Sequence, residues 1–265
     1  MMEHIVNTRL DMVAECAADY FKKYHTRLDF PDVSKRLYDQ KKLSTVPLKF
    51  RPSFRRLERE AFIGHAYSQI VHVDLVLSGP EHDIIQETNI IPVSKDVFTV
   101  VNLPYINPYM HFHNFFEVVY VYCGNGILNF AGENEKLEEG DLKIIAPHSK
   151  HSVLAGENSL ILSINIRTTT FDQVFSSLLD TKTLLSAFFI NALYGEKHGN
   201  YISFKIENRQ EWEEMIQEIF DETNIEDNFA NEIAIHMIHV FFGKLLRNFG
   251  NTIHLYDSKM GSSQY

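Results

Sequence analysis

His111-Phe-His113-Asn-Phe-Phe-Glu117 is the most informative stretch of this 265-residue chain. Side chains on a strand alternate between its two faces, so His111, His113 and Glu117 are predicted to share one face. His151 follows after a hairpin and a further strand. We therefore predict that three imidazoles and one carboxylate converge inside a small barrel, where they form a site.

The composition limits the class of protein. The chain is 45% hydrophobic, which is enough for a sizeable core, and its formal net charge is −10. Nonspecific affinity for nucleic acid comes mainly from clustered Lys and Arg, so a chain this acidic is not expected to bind DNA by itself. The basic stretch from Lys41 to Arg59 is interpreted as a solvated or intramolecularly paired face.

Cysteine usage and targeting signals indicate the compartment. Cys16 and Cys123 are too few and too far apart for a disulfide framework or a Cys-rich zinc site. The start of the chain lacks the basic and apolar regions of a signal peptide. No uncharged apolar stretch is long enough to span a bilayer. We expect a cytoplasmic protein.

Residues 1–84 are predicted to be a mostly helical N-terminal extension, in which Val6, Leu10 and Val13 lie on one amphipathic helix and Ser53 caps another. Between residues 85 and 170, short apolar runs alternate with turn residues, which indicates an antiparallel barrel or sandwich. The predicted strands are Phe98–Leu103, Tyr109–His113, Phe116–Tyr122, Gly126–Phe130, Asp141–Ile145, Ser152–Leu154 and Leu160–Ile166.

Residues 171–256 return to helical periodicity and are predicted to form a dimerisation region. Asn208 and Glu211 resemble a capping box at the start of one helix. The last helix, about 228–248, is apolar around most of its circumference, so we expect a partner subunit to cover a second side. One candidate contact stripe, which periodicity alone does not select, consists of Ile235, Ile238, Phe242 and Leu245.

The barrel residues match the first cupin motif. His111, His113, Glu117 and Gly124 keep its spacing, while Tyr105 replaces the usual upstream glycine. In metal-binding cupins the three His and the Glu hold Fe, Mn, Ni, Zn or Cu, and imidazole and carboxylate suit these ions.

The second cupin motif is degenerate. Gly140, Pro147 and His151 match it loosely, the second glycine is absent, and Ala155 stands where asparagine is usual. The alternative to a metal site is a metal-free barrel whose buried polar groups hydrogen-bond an organic ligand or each other.

A longer part of the chain resembles the sensor half of AraC-type transcription regulators. The resemblance is carried by Glu-Val-Val-Tyr-Val-x-x-Gly-x-Gly and Leu-Glu-Glu-Gly-Asp-Leu-x-Ile-Ile-Ala-Pro-x-x-x-His, within residues 111–126 and 137–151, and extends over about residues 85–256. It implies a cupin barrel that binds an effector, helices that dimerise, and a C-terminal pair of helix-turn-helix units that read DNA. In that family the barrel usually acts as a sensor rather than a metal enzyme.

The helix-turn-helix pair needs about a hundred residues after the last sensor helix. We therefore expect this DNA-binding domain to be missing from the chain, with residues 257–265 as a tail or linker toward it.

The combined interpretation is an α+β protein: an antiparallel cupin-like β-barrel with an N-terminal helical extension and C-terminal dimerisation helices. His111, His113, Glu117 and His151 are the predicted ligand-binding residues. We expect a sugar or related metabolite as effector, a homodimer, no cofactor, no metal, no catalytic residues and no membrane. DNA is expected to be bound only through the missing domain. The rival hypothesis is a metal-dependent cupin enzyme, a dioxygenase or isomerase, with the same four residues as metal ligands.

Overall fold

The computed structural model describes residues 5–74, 84–176, 188–190, 200–249, 254–257 and 261–264. Its helices are α1 (Leu10–Tyr24), α2 (Phe30–Asp39), α3 (Arg59–Ala66), α4 (Glu87–Ile90), α5 (Thr168–Ser176), α6 (Arg209–Asn224) and α7 (Ala230–Phe249). Its strands are β1 (Ile5–Arg9), β2 (Ile70–Asp74), β3 (Ile84–Ile85), β4 (Val97–Asn102), β5 (Phe112–His113), β6 (Phe116–Cys123), β7 (Asn125–Phe130), β8 (Glu133–Glu138), β9 (Asp141–Ile145), β10 (His151–Ala155), β11 (Leu160–Ile166), β12 (Asn200–Lys205), β13 (His254–Asp257) and β14 (Gly261–Gln264).

Two antiparallel sheets form the centre of the fold. The larger has the strand order β14-β13-β12-β9-β6-β11-β4, and the smaller has the order β10-β7-β8. Backbone hydrogen bonds between His111 and His151 join β10 to the chain that leads into β5. The mixed α+β class and the antiparallel sheets predicted from the sequence are confirmed.

Strand β6 is buried on both faces because it lies between two apolar clusters. Phe116, Val118, Tyr120 and Tyr122 belong to the large cluster that includes side chains of α3, α6 and α7. The alternate residues point to the opposite face, where Val119 and Val121 pack in a smaller cluster between the sheets. Glu117 shares that second face, so its carboxylate lies at one end of the space between the sheets.

The N-terminal extension contains strands as well as helices. Val6 lies in β1, which pairs with β2, and α1 begins only at Leu10. The prediction that Ser53 caps a helix is wrong, because α3 begins at Arg59 and the Ser53 N–H is bonded to Asp221 instead. Local periodicity missed both points because the pairing partners lie more than 60 residues away.

The predicted strands of residues 97–166 match the observed ones to within a few residues, apart from a shortened β5. Strands β8 and β12 are among those that were missed. Strand β8 carries mostly exposed polar residues and forms through its hairpin with β7, and β12 forms by pairing with β9. Pairing with an existing strand supplies the driving force that the local sequence lacks.

The C-terminal helices differ from expectation in two details. The capping box at Asn208 is wrong: this residue has φ −85° and ψ 80° and makes no capping hydrogen bond. Ile238, Phe242 and Leu245 are fully buried against the sheet within one copy of the chain, and so are not available to a partner. Helix α7 instead leaves Ile233 and Val240 exposed. The predicted C-terminal cap, Gly250, lies outside the described residues.

Glycines at two motif positions are required by the backbone. Gly124 has φ +80°, and a Cβ there would lie 2.3 Å from the Ser159 hydroxyl. Gly140 has φ +86°, and a Cβ would lie 2.7 Å from the carbonyl oxygen of Ile206. Tyr105, which replaces the upstream motif glycine, keeps a left-handed conformation with φ 65°. No helix among the described residues is long and apolar enough to cross a membrane.

Candidate functional site

The backbone brings the four predicted site residues together at one end of the two sheets. His111 and His151 exchange two N–H···O hydrogen bonds of 2.9 Å each, and the His148 N–H donates to the His113 carbonyl oxygen over 2.7 Å. Strand β5 then ends at a bend, and β6 begins at Phe116, one residue before Glu117. The three residues of the quoted stretch therefore converge across a break between two strands, not along one continuous strand.

The side chains meet around the carboxylate. Glu117 Oε2 lies 3.1 Å from His113 Nε2 and 2.9 Å from His151 Nε2. The ring centroid of His111 lies 4.6 Å from that of His151. His113 and His151 are fully buried, and Glu117 is 6% exposed. His111 is half-buried and lies closest to solvent.

Each imidazole ring is oriented by a hydrogen bond to a nearby backbone carbonyl. The Nδ1 atoms of His111, His113 and His151 lie 2.8, 2.7 and 2.9 Å from the carbonyl oxygens of Tyr109, Phe115 and Ser149. A carbonyl oxygen only accepts, so each Nδ1 carries the proton and donates it. In a neutral imidazole the other nitrogen, Nε2, is then an acceptor, and this nitrogen faces the centre of the site.

Burial controls the charge of these groups. Burial lowers the pKa of His111 to about 4, and the neighbouring His151 adds to this effect. Burial also lowers the pKa of His113. For Glu117, burial raises the pKa, but the contacts with His113 and His151 outweigh it and hold the pKa well below its usual range. Glu117 is thus held as a carboxylate beside the buried imidazoles.

The arrangement can hold a metal ion or a hydrogen-bonding ligand. One ligand atom from each of the four side chains lies within 4.8 Å of the others. Across the described residues, this is the one group of three or more His, Cys, Asp or Glu side chains close enough to share an ion. The apolar wall beside it is formed by the cluster that contains Val119 and Val121.

A second buried carboxylate was not predicted from the sequence. Asp221 Oδ2 accepts hydrogen bonds from the N–H groups of Ser53 and Phe54 over 2.7 and 3.2 Å. Its Oδ1 lies 2.6 Å from His65 Nε2. No local signal marks this contact, because the partners are separated by more than 150 positions.

Asp221 lines an open cleft of about 340 Å³ between residues 53–57, α3 and α6. Several polar groups of this cleft already bond to the protein: Gln217, for example, accepts from the Leu57 N–H and donates to the Tyr122 hydroxyl. These contacts attach residues 53–57 to α6.

The basic stretch near Arg59 is paired within the chain, as predicted. Arg56 lies 2.6 Å from Glu214, and Arg59 lies 2.7 Å from both Glu139 and Glu213. These pairs attach the N-terminal extension to α6 and to the turn before β9.

Part of the chain matches a known protein family. Residues 103–234 match the family model of the AraC-like ligand binding domain. No curated protein sequence matches the chain.

Several solved structures are similar to part of the chain. A ToxT variant in apo form from Vibrio cholerae strain SCE256 shares 13% identity over 58% of this chain and 56% of that chain, with a TM-score of 0.41. ToxT from Vibrio cholerae O395 bound to (E)-4-(8-methylnaphthalen-1-yl)but-3-enoic acid shares 16% identity over 59% and 58%, with a TM-score of 0.37. This chain therefore spans less than two thirds of the length of those proteins. On the family match, the chain belongs to the AraC-like ligand-binding family over residues 103–234.

Proposed function

We propose that this chain is the effector-binding and dimerisation portion of an AraC-type transcription regulator in the cytoplasm, and that it is not an enzyme. The observation that carries the proposal is a buried cluster of polar side chains, beside an apolar wall, inside a domain of a ligand-binding family. Sites for small molecules combine an apolar surface with a few convergent polar groups in this way.

The hydrogen-bonding character of the site favours a sugar or related small metabolite as the effector. Because each Nδ1 is used by the backbone, His111, His113 and His151 present acceptors, and Glu117 adds acceptor oxygens. Hydroxyl groups of a sugar supply the matching donors. Effector binding would then shift the equilibrium between two conformations of the protein. This shift would change how an attached DNA-binding domain contacts its DNA sites.

Ligand binding can be tested with a defined panel. Thermal unfolding and calorimetry are measured with pentoses, hexoses and sugar acids, and with an unsaturated fatty acid, the ligand class named for one ToxT structure. We expect a saturable shift with a member of the sugar group. The shift should be lost in His111→Gln and kept in His236→Gln, which alters an exposed histidine on α7. A response to the fatty acid alone would contradict the sugar proposal.

We also propose a homodimer through α7. Ile233 and Val240 are 41% and 54% exposed, and half-buried Met237 lies between them on the same helical face. A second copy of the same stripe would cover these side chains in a symmetric contact.

Sedimentation velocity tests the dimer. We expect Ile233→Glu and Val240→Glu to sediment as folded monomers, because a charge would be placed in the contact. Val46→Glu, which alters an exposed apolar residue outside α7, should remain dimeric. A monomeric wild type would contradict the proposal.

DNA recognition is proposed to reside in a helix-turn-helix domain outside this sequence. The chain has a formal net charge of −10, and Arg56 and Arg59 are engaged in ion pairs. We expect residues 1–265 to give no sequence-selective gel shift at physiological salt. Selective binding at submicromolar concentration would contradict this assignment.

A further inference from the structure

A second open cleft, which we call the basic cleft, lies in the N-terminal extension and has a volume of about 570 Å³. Its polar lining consists of Arg9, Lys49, Arg51, Ser53, His65 and Ser68. The lining contains no Asp or Glu, although the chain as a whole has 35 acidic and 25 basic residues. The composition of the chain does not account for a cleft of one charge sign, so the basic cleft is a candidate site for an anion.

The cations of the basic cleft are only partly neutralised. Arg9, the last residue of β1, has its Nη2 atom 2.5 Å from Asp11 Oδ2. Lys49 and Arg51 are exposed, and neither forms an ion pair with a carboxylate in the described part of the chain. The cleft therefore contains two positive charges without a partner, and Arg9 adds the N–H groups that Asp11 does not use.

The segment that carries the two unpaired cations is anchored by the residue between them. Phe50 packs its ring against His65 and Phe220, with centroid distances of 5.1 and 5.7 Å. This contact fixes the backbone on either side, at Lys49 and Arg51. Less conformational freedom is then lost when a ligand brings the cations together, which favours binding.

The serine hydroxyls of the basic cleft already donate within the protein. Ser53 Oγ donates to the Arg55 carbonyl oxygen over 3.1 Å, and Ser68 Oγ donates to the His65 carbonyl oxygen over 2.6 Å. A hydroxyl has one proton, so neither serine has another to give to a ligand. The strongest donors left are the charged N–H groups of the Arg and Lys side chains, and these select an anionic acceptor.

We propose that the basic cleft binds a small metabolite that carries a phosphomonoester, with Arg9, Lys49 and Arg51 on the phosphate. A phosphomonoester has a charge of about −1.5 to −2 at pH 7 and three strong acceptor oxygens, which matches the two unpaired cations and the donors of Arg9. The inference goes beyond the proposed sensor function, because the basic cleft shares no residue with the histidine cluster.

The size and the apolar part of the lining favour a metabolite over a bare ion. Pockets for small molecules have volumes of roughly 300–1,000 Å³, and the basic cleft lies within this range. Leu57, Ala61 and Ile70 complete its lining. Their apolar surface is suited to the carbon skeleton of a ligand whose phosphate is held by the cations.

Calorimetry on the full chain tests the proposal with named probes. Glycerol 3-phosphate, ribose 5-phosphate and glucose 6-phosphate are titrated beside inorganic phosphate and succinate, a dicarboxylate. We expect about one equivalent of at least one phosphomonoester to bind. Lys49→Gln and Arg51→Gln should each weaken this binding at least about tenfold, because each removes a charge-assisted contact. Added NaCl should also weaken it, since exposed charges are screened by salt.

Two control variants define where the phosphomonoester binds. Lys42→Gln alters an exposed cation of the same basic stretch, outside the lining of the basic cleft, and should bind like the wild type. His111→Gln alters the histidine cluster and should also keep phosphomonoester binding. Circular dichroism establishes that the variants are folded, and all three altered cations are at exposed positions.

Several results would overturn the proposal. These are the absence of saturable binding for all three phosphomonoesters below millimolar concentration, and binding of inorganic phosphate or succinate as tight as that of the best phosphomonoester. Equal losses in Lys42→Gln and Arg51→Gln would reduce the effect to overall charge. Binding lost in His111→Gln but kept in Arg51→Gln would place the phosphomonoester at the histidine cluster. A response to unphosphorylated sugars that is lost only in His111→Gln tests the sensor proposal separately.

Discussion

Glu117 and Asp221 are both buried carboxylates in contact with histidine Nε2 atoms, but their surroundings differ. Asp221 accepts from two backbone N–H groups in addition to its contact with His65. The hydrogen-bonding contacts described for Glu117 are with the ring nitrogens of His113 and His151. The first carboxylate is held by main-chain donors, whereas the second is held by imidazole side chains of the candidate site itself.

The difference shows how a structural group is distinguished from a binding group. A carboxylate that accepts backbone N–H donors stabilises the fold and needs no further partner. Asp221 therefore attaches residues 53–54 to α6, whereas Glu117 is the carboxylate that we propose takes part in ligand binding.

The largest expected effect tests the structural half of the comparison. Asp221→Ala leaves two backbone N–H groups and His65 without their acceptor, so we expect the free energy of unfolding to fall by about 3 kcal/mol. Urea unfolding measures the loss. Glu218→Ala, one turn away on the exposed face of α6, should change stability by less than about 0.5 kcal/mol. Equal losses in the two variants would contradict the role of Asp221.

Ligand addition tests the proposed binding role of Glu117. With free effector at a hundred times its dissociation constant, binding adds about 2.7 kcal/mol to the free energy of unfolding. We expect Asp221→Asn to keep this response and Glu117→Gln to lose it. Thermal unfolding with and without the effector gives the comparison, and a response retained by Glu117→Gln would contradict the binding role of this carboxylate.

The smallest expected effect comes from matched isosteric substitutions in ligand-free protein. Asp221→Asn removes the charge from an acceptor of backbone N–H groups and should cost about 1–2 kcal/mol. Glu117→Gln replaces an acceptor by an amide that donates to the Nε2 atoms, so we expect no loss or a small gain. The urea concentration at the midpoint of unfolding, measured for each variant and for the wild type, gives the two changes in stability. A larger loss for Glu117→Gln would show that the two carboxylates are equivalent.

Much of the fold could be predicted from local pattern. The strands from residue 97 to 166 and the last two helices lie close to the predicted positions. In these elements, the residues with apolar side chains at the expected spacing are the residues that the fold buries. Strands β8 and β12 could not be found in this way, since each exists through hydrogen bonds to a partner strand. The apolar circumference of α7 was recognised, but much of it packs within the same chain, so the candidate stripe with Ile238, Phe242 and Leu245 is not exposed to a partner.

The sequence by itself determined which side chains could form the site, because the motif spacing places His111, His113, Glu117 and His151 on strands that meet. The tertiary structure alone decided what these side chains present to a ligand. The protonated nitrogen of each imidazole depends on its hydrogen-bond partner, and those partners are backbone carbonyls oriented by the folded chain. Residue identity specifies a histidine, but only the fold determines which nitrogen donates and which remains free to bind.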